Sequence, residues 1–290
     1  MLAVSRSALQ SPDYTPRRTK TVNQDSPVLK NCQTAPPDLP DHLLFQALDF
    51  QVAQAHAQLK ATHGFLPKDH CEGTQLAFKI FEAVKAGAIK IAQQRGLSAD
   101  YHPEKFHLID SSEVNAFVFA YYSDVYLERG MLGALARYCR HKGVELTEEL
   151  IGSVIAHEMA HILQSSATRG LPIADRLSPD ERVRVIAFKR NAEIDADRTA
   201  LLILDAAGYS GSELVKVLEF LKEITQYSTV QAVALYHPHP KERLVELEQV
   251  LGSSEIITPN WTAPLHPIFR LTCLLTFLAN YIRDQGPIRL

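Results

Sequence analysis

Apolar residues recur every three or four positions along "DHLLFQALDFQVAQAHAQL" and again along "TQLAFKIFEAVKAGAIKIAQQ", with a break at Gly64 and Pro67. This spacing predicts two helices between 41 and about 94. The pattern then changes. "KFHLIDSSEVNAFVFAYYSDVYLERG" sets β-branched and aromatic runs between the polar breaks "DSS" and "SD", which predicts three short strands near 105–110, 114–121 and 124–128. A helix near 130–141 follows. Thr147 is placed to cap the next helix, with Glu148 and Glu149 against the positive end of its dipole, and this helix extends to about 164. Ser178, Pro179 and Glu181 then supply an N-cap, a first-turn proline and a capping-box acid. No Pro or Gly follows until Gly208, so one long helix is expected over 179–207. Ser210 and Glu213 open another helix to about 226, and "HPHPKERLVELEQVL" enters a last one at Pro240. The pattern as a whole is α+β and predominantly helical, with one small sheet.

Composition narrows the function classes. At 290 residues, with 46% apolar and 22% charged positions and a formal net charge of -3, the chain has the balance of an ordinary globular protein. No basic stripe with interleaved aromatics argues for a nucleic-acid partner. Cys32, Cys71, Cys139 and Cys273 are scattered without a close pair, so buried free thiols are expected rather than a zinc knuckle or a disulfide framework. Residues 1–40 hold six of the sixteen prolines and no helical periodicity, which predicts a disordered arm ahead of a catalytic domain over 41–255. The first apolar run stops at Ser5 and Arg6, short of an export signal. The longest apolar stretch in the extension 256–290, "LTCLLTFLANYI", is far below the roughly 20 residues that span a bilayer. A core or interface helix is the reading of this stretch, with peripheral membrane contact as the alternative. No transmembrane segment and a cytoplasmic location are therefore expected.

The chemistry concentrates in "SVIAHEMAHILQ", 153–164. His157 and His161 stand one helical turn apart, so their imidazoles project from the same face and can share one tetrahedral cation. Glu158 is turned by about 100° from His157, an offset that suits a carboxylate acting on water beside the metal rather than ligating it. The competing account is a helix that merely carries polar residues. Against it, the chance expectation of H-E-x-x-H in a chain with this composition is about 0.03. A third ligand is required from another element, and "KRNAEIDADRTALLI" offers one. Glu193, Ala196, Asp197 and Ala200 share a face, while Asp195 points elsewhere. Small residues at Ala156, Ala160, Ala196 and Ala200 allow the two helices to approach closely. Glu193 is then placed to ligate, and Asp197, one turn on, to hydrogen-bond a ligating histidine. A solvated helix charge is the plain alternative for each acid, but three acids within five residues of an apolar stretch are costly without compensation.

"HEMAH", followed after 32 residues by "EIDADRTA", resembles the H-E-x-x-H … E-x-x-x-D pattern of the HtpX, Oma and CAAX-prenyl-protease family of gluzincin endopeptidases. "SSEVNAF" is similar to the family's strand before the active-site helix, and "HPHPKER" to its late His-Pro segment, with His237 and Arg243 at the family's separation. "VFAYYSD" stands where the family has a glycine-rich turn. The similarity covers roughly 70–250 and looks like the soluble subgroup that keeps the catalytic domain alone. It implies a zincin-like metallopeptidase domain with its sheet beside the active-site helix. It also implies one zinc per chain on His157, His161 and Glu193, Glu158 as general base toward zinc-bound water, and a polypeptide substrate. Asn115, Ala116 and Phe117 would receive an extended peptide by strand addition, or form a plain core strand. His237 would stabilise the oxyanion, cap the metal at rest, or only enter a helix. A metal-binding scaffold or chaperone-like protein that has lost turnover, and a zinc hydrolase of small amides, remain the alternative functions.

Overall fold

The computed structural model describes residues 41–119, 122–168, 179–225 and 238–252. The expected N-terminal arm, the C-terminal extension and His237 lie outside them. Helix α1 spans Asp41–Thr62 and α2 Glu72–Gln94; the strands are β1 Phe65–Leu66, β2 Phe106–Ile109, β3 Ala116–Val118 and β4 Val125–Glu128. Helices α3 Arg129–Lys142, α4 Glu148–Thr168, α5 Pro179–Ala206, α6 Ser212–Thr225 and α7 Pro240–Gly252 complete the fold. The strands are shorter than their β-branched runs, and the pairing of β3 with β4 ends at Val118 and Val125. Strand β1 has no sequence signal: two residues are too few to show a period. Its existence depends on Phe65 and Leu66 pairing antiparallel with Ile109 and Leu108.

The sheet order is β1-β2-β4-β3, with β2 and β4 parallel and β3 antiparallel to β4, which leaves β3 at one edge. Strand alternation gives the sheet two different faces. Phe106, Leu108, Val125 and Leu127 turn toward the main core with α2 and α4, whereas Ile109, Phe117 and Tyr126 face Val52, Ala55 and Leu59 of α1. Both faces are therefore covered by helices, and α4 is positioned alongside β3 and β4.

Thr147 accepts the Leu150 amide at 3.1 Å and so caps α4 as its sequence predicts. The helix continues to Thr168, one turn past the expected end. Ala156, Ala160, Ala196 and Ala200 are all fully buried where α4 packs on α5. A second close approach joins α2 to α5 at Gly87, where an added Cβ would lie 2.4 Å from the Ile203 carbonyl oxygen. Two ion pairs, Arg190 with Glu242 and Arg198 with Glu246, tie α5 to α7. Cys139 is a buried free thiol as expected, but Cys71 is exposed because it stands at the N-cap of α2. Among the described residues no helix is long and apolar enough to cross a membrane.

Candidate metal centre

The packing of α4 on α5 brings His157, His161 and Glu193 together. The two Nε2 atoms are 3.2 Å apart, and each lies 3.5 Å from an oxygen of Glu193. A tetrahedral zinc with bonds of about 2.05 Å has ligand atoms about 3.3 Å from one another, and these separations, which reach Oε2 of Glu193 from His157 and Oε1 from His161, are close to that spacing. Glu193 is buried at 8% exposure, and the two imidazoles are partly exposed, which leaves access from solvent.

Each imidazole is held through its other nitrogen. His157 Nδ1 lies 2.9 Å from Asp197 Oδ1, and His161 Nδ1 lies 3.1 Å from Gln164 Oε1. An acceptor at each Nδ1 suits the tautomer that a metal-bound imidazole takes, with the proton on Nδ1 and Nε2 free to ligate; Arg243 Nη2 also stands 3.3 Å from His157 Nδ1. Gln164 is itself fixed, donating from Nε2 to the Ala192 carbonyl on α5 at 3.0 Å. Asp197 is fixed by Arg243 of α7, whose Nε and Nη2 donate to its two oxygens at 2.7 and 2.6 Å. Arg243 Nη1 also stands 3.6 Å from Glu193.

The electrostatics follow from this crowding. Burial pushes the Asp197 carboxyl up, but Arg243 and then His157 outweigh it and hold the group below the usual carboxylate range. Burial and Arg243 lower His157, and its hydrogen bonds to Asp197 and Glu193 more than offset them, lifting it to about 9. Glu158, Glu193 and Asp197 are buried with Arg243, and with His157 neutral, as a metal ligand must be, that sets three formal negative charges against one positive. The remaining two negative charges match a divalent cation, without which their burial is costly. Both donor geometry and charge thus fit zinc.

Glu158, next to His157 in sequence, is buried and is not among the three residues whose donor atoms lie within 4.8 Å of one another. Asp195 points away from them and pairs with Arg198 at 3.3 Å. Asn115, Ala116 and Phe117 lie along the edge strand β3 and its entry. Phe117 is buried on the α1 side, stacked on Tyr126 with ring centroids 5.1 Å apart, and Ala116 packs toward the main core. The side chains of this strand therefore serve the core. Sequence reasoning gave no role to Gln164 or to Arg243. The former had a usable signal, since it lies one turn after His161; Arg243 had only its separation from His237.

Residues 82–179 match the model of Peptidase family M48. The match takes in the sheet from β2 onward and the whole of α4, and ends before Glu193. The chain is also similar to the beta-barrel assembly-enhancing protease of Escherichia coli (strain K12), at 26% identity over 174 residues that cover 50% of this chain and 34% of that protein. The Yersinia pestis protein of the same name is 26% identical over 172 residues, 49% of this chain and 33% of its own. The chain spans about a third of the length of these curated relatives. M48 peptidases are zinc metallopeptidases acting on polypeptides, in accord with the donor set described above.

Proposed function

We propose that this protein is a zinc endopeptidase that cleaves extended or unfolded polypeptide, with one zinc at this centre held by His157, His161 and Glu193. The observation that carries the reading is the pairing of two imidazoles, each tied at Nδ1 and facing the other at Nε2, with a buried glutamate that is not one of the ligands. A zinc ion bound there supplies Lewis acidity toward the scissile carbonyl and toward water. Glu158 accepts the proton of the attacking water and returns it to the departing amine nitrogen. Its burial limits competing hydration of that carboxylate. Asp197 and Gln164 orient the two imidazoles, and Arg243 keeps Asp197 ionised. The edge position of β3 suits backbone pairing with an extended chain, which aligns a peptide bond without requiring a particular side chain.

The test compares wild type, Glu158→Gln and His161→Ala on casein, with and without a chelator, alongside zinc content. Glu158→Gln is expected to keep its zinc and lose about 10²–10⁴-fold in turnover. His161→Ala is expected to lose both. Turnover in Glu158→Gln equal to wild type overturns the general-base role, and zinc retained in full by His161→Ala overturns the ligand set.

A further inference from the structure

A second cluster of metal-ligating side chains stands on the other face of the sheet, under α1. His107 of β2 and Tyr126 of β4 are register partners with rings stacked 4.8 Å apart, and Tyr126 is in turn the partner of Phe117 in β3. His56 of α1 closes over this row: its ring is 4.8 Å from that of His107, and its Nδ1 is 2.8 Å from the Tyr126 hydroxyl. Asp124, in the turn before β4, places Oδ2 2.7 Å from His107 Nε2. One nitrogen from each imidazole and one oxygen of Asp124 lie within 4.8 Å of one another.

We propose that His56, His107 and Asp124 form a second divalent-metal site, of the zinc class, that pins α1 to the sheet. Two imidazoles and one carboxylate are a donor set for zinc and its transition-metal neighbours rather than for magnesium or calcium, which take oxygen ligands. The ligands come from α1, β2 and the residue before β4, so a shared ion ties α1 to the paired strands β2 and β4, adding to the His56–Tyr126 hydrogen bond and the small apolar cluster around Val52, Ala55 and Leu59. The side chains of His107 and Asp124 are 15% and 18% exposed, so an ion can enter and a water can complete its coordination. The Tyr126 hydroxyl fixes the His56 ring from outside the set, the arrangement that orients metal-binding imidazoles elsewhere. Protonation states agree with this. Burial lowers His56 and so favours the neutral imidazole that ligates, while the bond to His107 outweighs burial at Asp124 and keeps its carboxyl low. Burial raises the Tyr126 phenol, which stays a neutral partner. Spacing must adjust: the 2.7 Å between His107 and Asp124 widens by roughly half an ångström, and His56, whose donor lies within 4.8 Å of the other two, closes on them, to reach a tetrahedral edge of about 3.3 Å. Asp124 lies in a turn, outside the strands, which lets it move.

The inference is independent of the peptidase reading, and the experiment separates them. Zinc is measured in the full chain after equilibration with the free metal and removal of excess, for wild type, His161→Ala, Asp124→Asn and the double variant. The expected contents are two, one, one and none per chain. In the His161→Ala background zinc should raise the melting temperature, and Asp124→Asn should abolish that rise. His56→Gln serves as a second variant should Asp124→Asn fail to fold, and should likewise lose one zinc. Equal zinc in wild type and both of these variants overturns the proposal and leaves His107 and Asp124 as a proton-bridged pair. A zinc lost on Asp124→Asn but not on His161→Ala would sustain the second site and sink the first.

Discussion

Replacing Arg243 with Met removes the guanidinium buried among the carboxylates of the metal centre and keeps most of the apolar stem. In the native protein its guanidinium makes two short bonds to Asp197, at 2.7 and 2.6 Å, and stands 3.6 Å from Glu193. Asp197 is 2% exposed, so water cannot take the place of the lost donors. Its remaining partner is His157 Nδ1 at 2.9 Å. Removing one member of a buried ion pair costs about 3–5 kcal/mol, a large part of the roughly 5–15 kcal/mol that holds a domain of ordinary stability. The measurement is urea denaturation followed by circular dichroism with zinc removed, so that metal binding does not contribute. Asp197→Asn in the same background removes the stranded charge while its amide oxygen can still accept from His157 Nδ1. The double variant should recover roughly 2 kcal/mol relative to Arg243→Met, within the usual coupling range for groups in contact. A loss below about 1 kcal/mol in Arg243→Met, or no recovery in the double variant, would refute the argument that Arg243 acts by neutralising Asp197.

Gln164→Leu removes the acceptor at His161 Nδ1 without touching a ligand, and zinc affinity measured by competition with a chromogenic chelator should fall about 10–100-fold; unchanged affinity would show that the ring is held by packing alone. Gly87→Ala gains about 1 kcal/mol of helix propensity but sets a methyl group 2.4 Å from the Ile203 carbonyl and 3.0 Å from the Ala207 amide nitrogen. Neither backbone atom can swing aside, so a net loss of about 1–3 kcal/mol is expected in the same denaturation assay, and a variant as stable as wild type would mean that α2 and α5 can separate at no cost.

The positions of the helices were legible because each is long enough to repeat its period and carries its own punctuation. Thr147 caps α4 and Pro179 begins α5, both readable from neighbours within a few residues. His157, Glu158 and His161 were legible for the same reason, since a single helical turn fixes their relative directions. Glu193 and Asp197 could be selected because acids on an apolar face require compensation. Strand β1 could not be found, because two residues have no period and this strand is defined by its partner in β2.

What the sequence by itself determined is therefore local: which segments are helical, which faces are apolar, and which side chains on one helix can meet a common point. Tertiary structure decided everything that joins distant segments. Arg243 reaches Asp197 across 46 positions of sequence, and Gln164 reaches the Ala192 carbonyl across 28. The His56, His107 and Asp124 cluster needs α1 folded over the sheet before its members meet at all. The physical reason is that a helix or strand period specifies direction about its own axis, whereas the distance between two elements is set by the size of the residues packed between them. Here that distance depends on the buried alanines of α4 and α5 and on the row of rings beneath α1.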